Sequence, residues 1–364
     1  MNQSIRVTEL VCYLALFEVG STTLFFLGAE AKRDAWLAMA LAACVGLLLL
    51  CIYLMIHRTD PDLDLYDLCK RYFGKIIGYV VSFAFAAYFT YEASRNLRDL
   101  GELTVLTLLN RTPLAFIMLI AILVITSTVM YGPRVVFLVS AGLLPIVILS
   151  YLTIYSLLLT TGLIKTEMMQ PVLEYGFKPV FSAAIPELVS FPFGQTLLFL
   201  VFFPLVKKKD KLRRGVLITY IITAICLVMI NQVNILVLGP TLAASSTLPL
   251  LQVVQLIEIA DVFERIDVLF VLILFLGLGA KMTAFSMGAV IGLTKLTGIP
   301  YKISTIFLGG CLYMLAFLSP NYPHHIWLGI KFVVTYVTPI FQVVLPLMLL
   351  LTIWIRQKTE KQHQ

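Results

Sequence analysis

The stretch LALFEVGSTTLFFL, residues 14–27, decides how the rest of the chain is read. It is the middle of the first apolar segment, yet Glu18, Gly20, Ser21, Thr22 and Thr23 interrupt it about halfway along. A charge near the bilayer centre costs at least ~2.5–3.5 kcal/mol on insertion scales, so it tends to face a bundle interior or a cavity and to be functional. Gly20 lacks a Cβ and can leave helical geometry without steric penalty. A helix broken there frees carbonyls on the Leu14–Phe17 side and N–H groups on the Ser21–Thr23 side. Such breaks survive at membrane depth only where protein buries them or a water-filled site receives them. One reading is a kink, with hydroxyls bonding back to the preceding turn and Glu18 paired to a neighbour. The other is a ligand-site break, and a second interruption of the same kind further along favours it.

The composition makes the solvent of this chain lipid. Of 364 residues, 60% are hydrophobic and 13% charged, and the mean hydropathy is +0.96, whereas soluble domains run near 45–50% apolar and about 25% charged. The formal charge of +7 is therefore read as a topology signal and not as a nucleic-acid footprint. The six cysteines, Cys12, Cys44, Cys51, Cys69, Cys226 and Cys311, are scattered, and all but Cys69 lie in apolar segments. Neither a disulfide framework nor a metal site is indicated. The N-terminus MNQSIRVTEL lacks a cleavage region, so the first span is expected to be retained. No P-loop, nucleophile elbow or zinc-protease motif occurs, and neither an enzymatic activity nor a cofactor is expected.

A span needs about 20 mostly apolar residues. Ten segments qualify: 9–28, 35–56, 76–109, 114–131, 137–162, 182–206, 216–238, 266–293, 303–319 and 326–355. With the N-terminus inside, seventeen Lys and Arg fall in cytoplasmic loops and tails, including the run KKKDKLRR at 207–214, and six fall outside. That asymmetry supports ten spans with both termini cytoplasmic. The basic run reads as a stop signal and solvated face, with lipid-headgroup docking as the minor alternative. Residues 62–74 suit a short amphipathic helix on the inner face stopped by Gly74. Ser245, Ser246 and Thr247 could cap a helix from Leu248 to Ala260, followed by Asp261, Glu264 and Arg265.

The second interruption is in the sixth segment, FSAAIPELVSFPFGQTLLFLVFF from Phe181, where Ser190, Phe191, Pro192, Phe193, Gly194 and Gln195 sit near the middle. Pro192 removes a backbone donor and clashes with the preceding turn. The first segment runs inwards to outwards and the sixth the opposite way, so the two halves, about 9–162 and 182–355, form one domain, 1–364, with inverted topology. Interrupted segments at matching positions point to a transporter-type site at the midplane. Ser21–Thr23 and the sixth break, with Phe191 and Phe193 as apolar walls and Ser190 and Gln195 as polar contacts, are the candidate ligand contacts. The third segment carries Glu92, Arg95, Asp99 and Glu102 on one helical face with Arg98 alongside. They read as a paired ladder at the outer vestibule or as a gate, with Asp99 and Glu102 paired to Arg95 or Arg98. The eighth holds Lys281, slightly past the midplane, among Ala280, Ala284 and Gly288, which form a small-residue packing face.

These residues resemble the B-subunit family of bacterial spore-germinant receptors, within the amino acid–polyamine–organocation transporter superfamily. The resemblance rests on FEVGSTTLFFLGAEAKRDAW (17–36), LYDLCKRYFGK (65–75), NRTPL (110–114), QPVLEYGFKPV (170–180), SFPFGQ (190–195) and FERIDVLF (263–270). It implies an all-α membrane protein of ten transmembrane helices in a leucine-transporter-type five-plus-five inverted repeat with helices 1 and 6 broken. It implies a nutrient ligand such as an amino acid, A-type and C-type receptor subunits as partners, surrounding membrane lipid, and the spore inner membrane as location. Where permeases of the superfamily often carry two close glycines in the first break, this chain has Gly20 alone, with Glu18 in place of a small residue. Sodium-dependent relatives of the fold hold an ion between the first and eighth spans. Lys281 falls at about that depth and stands in for the coupling cation, within reach of Glu18. The expected function is a nutrient-sensing germinant receptor subunit; the alternatives are a stand-alone proton-coupled amino-acid transporter and a structural subunit with a vestigial site.

Overall fold

An apolar run in lipid must satisfy its own backbone, and a helix does so within a single segment. The computed structural model describes residues 4–207, 209–257 and 266–362, and among them the secondary structure is helical. The helices in chain order are α1 (Val7–Val19), α2 (Ala35–Thr59), α3 (Leu65–Phe73), α4 (Lys75–Thr107), α5 (Leu114–Met130), α6 (Pro133–Thr160), α7 (Phe177–Ala183), α8 (Leu212–Ser245), α9 (Pro249–Gln255), α10 (Ile266–Thr297), α11 (Tyr301–Leu315), α12 (Tyr322–Ile326) and α13 (Leu345–Gln362). Among the described residues eight segments are long and apolar enough to cross a membrane, and the chain is an integral membrane protein. The two other expected spans are α5 and α11, apolar helices of 17 and 15 residues, about 26 and 23 Å long at 1.5 Å per residue.

We call the end carrying residues 5, 60–75, 206 and 295 the near face, and the opposite end the far face. Ile5 is tied there to Leu205, whose carbonyl accepts its N–H at 2.9 Å. The expected amphipathic helix is α3. The Asp64 carboxylate accepts the N–H groups of Tyr66 and Asp67, each at 3.1 Å, and Gly74, at φ +83, stops the helix. Its apolar side lies under the bundle: the Tyr66 hydroxyl donates to the Gly288 carbonyl of α10 at 2.7 Å. Cys69, the one cysteine outside the spans, is buried there, and burial pushes its thiol up to about 12.

Both interruptions are present, with corrections to their form. α1 ends at Val19, a single 3-10 turn covers Thr22–Leu24, and Phe25 is already extended. The expected span to residue 28 thus has no second α-helical half, and no long helix stands behind Ser21–Thr23 to supply a macrodipole. Side chains carry the extended exit: Asn231 of α8 accepts the Leu27 N–H at 3.0 Å and donates to the Leu27 carbonyl at 2.9 Å. In the sixth segment α7 and a π-helical turn, Ala184–Leu188, lead to Pro192, after which Phe193–Val201 continues as 3-10 helix. The tenth segment, Tyr322–Lys358, is largely π-helical between α12 and α13. The seventh, expected to end at 238, turns at Gly239 (φ +78) and runs on to Ser245. The cap expected from Ser245–Thr247 is not used: α9 begins at Pro249 behind Leu248 without a side-chain cap. The expected end of that helix at Ala260, and Asp261, Glu264 and Arg265, lie outside the described residues, as does Lys208.

Candidate functional site

Lys281 of α10 is 0% exposed, and its Nζ has no hydrogen-bond partner among the described residues. It lies 5.1 Å from the Phe17 ring of α1 and 4.7 Å from the Phe191 ring in the sixth segment. One ammonium is thus seated between the two interruptions. A cation over ring faces is attracted by about 0.5–2 kcal/mol per ring, more when desolvated. Glu18 is 1% exposed and neither carboxylate oxygen has a hydrogen-bond partner among the described residues. The expected Glu18–Lys281 ion pair is not formed in contact; the two charges act on each other at longer range. Buried polar groups are nearly always bonded, so these orphaned atoms mark a place that is chemically unfinished.

The same neighbourhood contains further buried, unpartnered atoms: Ser190 Oγ, Gln195 Oε1, Glu92 Oε1 and Gln342 Oε1. Gln195 Nε2 donates to Glu92 Oε2 at 3.1 Å, which links the sixth segment to α4. Glu92 therefore belongs beside the second break, deeper than the vestibule to which its position in the third segment assigns it. Arg95 Nη1 stands 3.7 Å from Glu92 Oε1. Arg98, Asp99 and Glu102 of α4 form a far-side ladder. Arg98 pairs with Glu102 at 2.7 Å, as expected, while Asp99 takes His325 of α12 at 3.2 Å in place of an arginine.

The other candidate residues of the two breaks bond within the protein or pack against it. Thr22 donates to the Glu18 carbonyl and Thr23 shares a 2.8 Å hydrogen bond with the Tyr151 hydroxyl of α6. Ser21 is buried, and its carbonyl accepts the Leu24 N–H at 3.2 Å. Phe193 packs on α2 and α8, with its ring 6.0 Å from that of Tyr220 and its Cβ against Gly46 of α2. Gly20 is packed backbone to backbone on α10: a Cβ there would lie 2.7 Å from the Gly277 carbonyl oxygen. Gly194 is covered by the Gln342 side chain. Gln342 in turn donates to the Tyr88 hydroxyl at 3.0 Å, and its carbonyl accepts the Tyr53 hydroxyl at 2.6 Å.

A second charged group closes the far end. Lys331 of the tenth segment reaches Glu30 at 2.8 Å and Glu187 at 3.0 Å. The three side chains border a cavity of about 220 Å³ that Phe25, Gly28 and Ile330 also line. At the near end Lys295 pairs with Asp64 at 2.6 Å and with Asp67. The sequence reading missed Lys331, Glu30, Glu187, His325 and Gln342. The rule that singled out Lys281, a charge inside an apolar run, applies equally to Lys331 and Glu187.

Comparison with known proteins agrees over nearly the whole length. The family model described as spore germination protein matches residues 4–326. The chain is 27% identical to spore germination protein KB of Bacillus subtilis (strain 168) over 360 residues, 98% of this chain and 96% of that protein. It is 23% identical to spore germination protein B2 of the same organism over 317 residues, 85% of each. Spore germination protein YndE is 23% identical over 263 residues, 72% of this chain and 71% of that one.

Proposed function

The chain belongs to the spore germination protein family, and on that premise we propose that it is a nutrient-sensing membrane subunit of a spore germinant receptor. In this reading it is a ten-helix, five-plus-five inverted repeat in the spore inner membrane, with cytoplasmic near face and termini. It acts beside A-type and C-type receptor subunits and not as an enzyme. It binds a small germinant such as an amino acid between the breaks of the first and sixth segments. The observation that carries this is the meeting of Phe17 and Phe191 over the unpartnered ammonium of Lys281, with the Glu18 carboxylate, Ser190 Oγ and Gln195 Oε1 also without hydrogen-bond partners among the described residues. Charges of both signs and neutral hydrogen-bonding groups are what a zwitterion needs, since each buried group left unmatched is costly. Lys281 occupies the place of a coupling cation, so binding is sodium-independent.

A thermal-shift assay of the purified chain against single amino acids, sugars and nucleosides tests the reading. A ligand at one hundred times its Kd stabilises by about 2.7 kcal/mol, which moves the melting temperature by several degrees. No shift with any compound, or a shift that requires sodium, overturns it. Charged clasps at both ends, around Lys331 and Lys295, also suit a stand-alone proton-coupled amino-acid transporter. Uptake of the stabilising compound by vesicles holding this chain alone separates that reading from the receptor.

A further inference from the structure

A second cavity, larger than the one at Lys331, lies on the outer side of α1 and reaches the first break at Val19. It has a volume of about 810 Å³ and runs between α1, α6 and α8, open on one side. Val11, Ala15, Leu144 and Ile222 make its walls, and every residue lining it is uncharged. Towards the far face the walls change character. Trp36 Nε1, the Tyr155 hydroxyl and both amide atoms of Gln232 are buried there without hydrogen-bond partners, and Gln232 is 7% exposed. From Thr219 near one end to Gln232 at the other is about 20 Å at 1.5 Å per residue.

We propose that this trough is a lipid-binding site that takes one acyl chain along α1, α6 and α8 and the ester–glycerol region of the same lipid at Gln232, Tyr155 and Trp36. The neutral donors Trp36 Nε1, the Tyr155 hydroxyl and Gln232 Nε2 suit ester carbonyls, whereas a phosphate would call for Lys or Arg. Buried donors left without partners are each costly, and a lipid's ester carbonyls can accept from them whereas a bare acyl tail cannot. The bilayer supplies this occupant at high concentration on the open side of the trough. A partner helix, about 10 Å across, would need polar side chains of its own at matching depth. The occupant also bears on the first break from behind: Val19 and Tyr151 line the trough, and Tyr151 holds Thr23.

The test uses the full chain in vesicles of phosphatidylethanolamine and phosphatidylglycerol with a trace of phosphatidylglycerol carrying a diazirine in one acyl chain. After illumination, labelled peptides are mapped by mass spectrometry. Label concentrates on the trough faces of α6 and α8 and falls sharply in Ala15→Phe, which fills the trough. Gln232→Leu, close in shape and lacking both amide atoms, lowers trough labelling about tenfold, as expected for loss of two hydrogen bonds. It also serves if Ala15→Phe does not fold. Label spread evenly over the exposed faces of all spans, or trough labelling unchanged in Gln232→Leu, overturns the proposal.

Discussion

Lys281 and Glu18 are two opposite charges with almost no exposed surface and no hydrogen-bond partner. Such groups cost stability, and removing one that has no contact partner relieves its desolvation without leaving a contacting charge uncompensated. The sign separates structure from function. Lys281→Met is expected to insert and to melt at the same or a higher temperature, yet to lose ligand-dependent stabilisation and the germination response. Melting of the variant in detergent, with and without the stabilising nutrient, checks this; a retained shift would mean that Lys281 serves packing alone. These two residues were legible because a charge inside an apolar run is visible without any fold. Asp99 was not, since its partner His325 is 226 residues away. An arginine within a turn along its own helix was the nearer partner by sequence. Lys331 carried the same signal as Lys281 and was passed over inside a segment read only for its length.

At the scale of elements, the breaks were legible and their mechanics were not. Gly20, Pro192 and the inserted polar residues announced them, but the path of the chain beyond Gly20 is set by packing between distant segments. The missing side chain at Gly20 makes room for α10: Gly277 would place its own Cβ 2.8 Å from the Gly20 Cα. Gly20→Leu therefore drives α10 off α1 instead of plugging an open ligand gap. The milder Gly20→Ala and Gly277→Ala should each destabilise by about 1–3 kcal/mol through overpacking. Because both act on one contact, the double variant should cost clearly less or more than their sum. Unfolding followed by thermal melting or denaturant in detergent measures this, and wild-type behaviour of Gly20→Ala would place the two backbones further apart in the membrane. The 3-10 turn at Thr22–Leu24 was likewise out of reach of sequence, since Asn231 and Tyr151, which hold the segment, belong to α8 and α6.

For the whole molecule the question is how the proposed ligand would reach a buried centre. Composition alone identified a polytopic membrane protein, because 60% apolar residues leave no other solvent. The near and far ends could not be drawn from it, because their closures join residues from opposite ends of the chain. Lys331 ties Glu30, just beyond the first segment, to Glu187 in the sixth, while Lys295 ties α10 to α3. Lys331 and Glu30 are about half-exposed, with side chains 49% and 55% accessible, so these pairs add little to global stability. In the proposed receptor their effect is on the balance between a closed and an open far end, where about 1 kcal/mol changes the open population roughly fivefold. Lys331→Met should leave the melting temperature nearly unchanged. In a Ser190→Cys background, the same substitution should speed modification of residue 190 by a membrane-impermeant thiol reagent by a factor of about five. Nutrient should slow that modification in both proteins, because a ligand held between the breaks covers residue 190. Equal modification rates with and without Lys331 would mean that the route to the centre does not pass between the first, sixth and tenth segments.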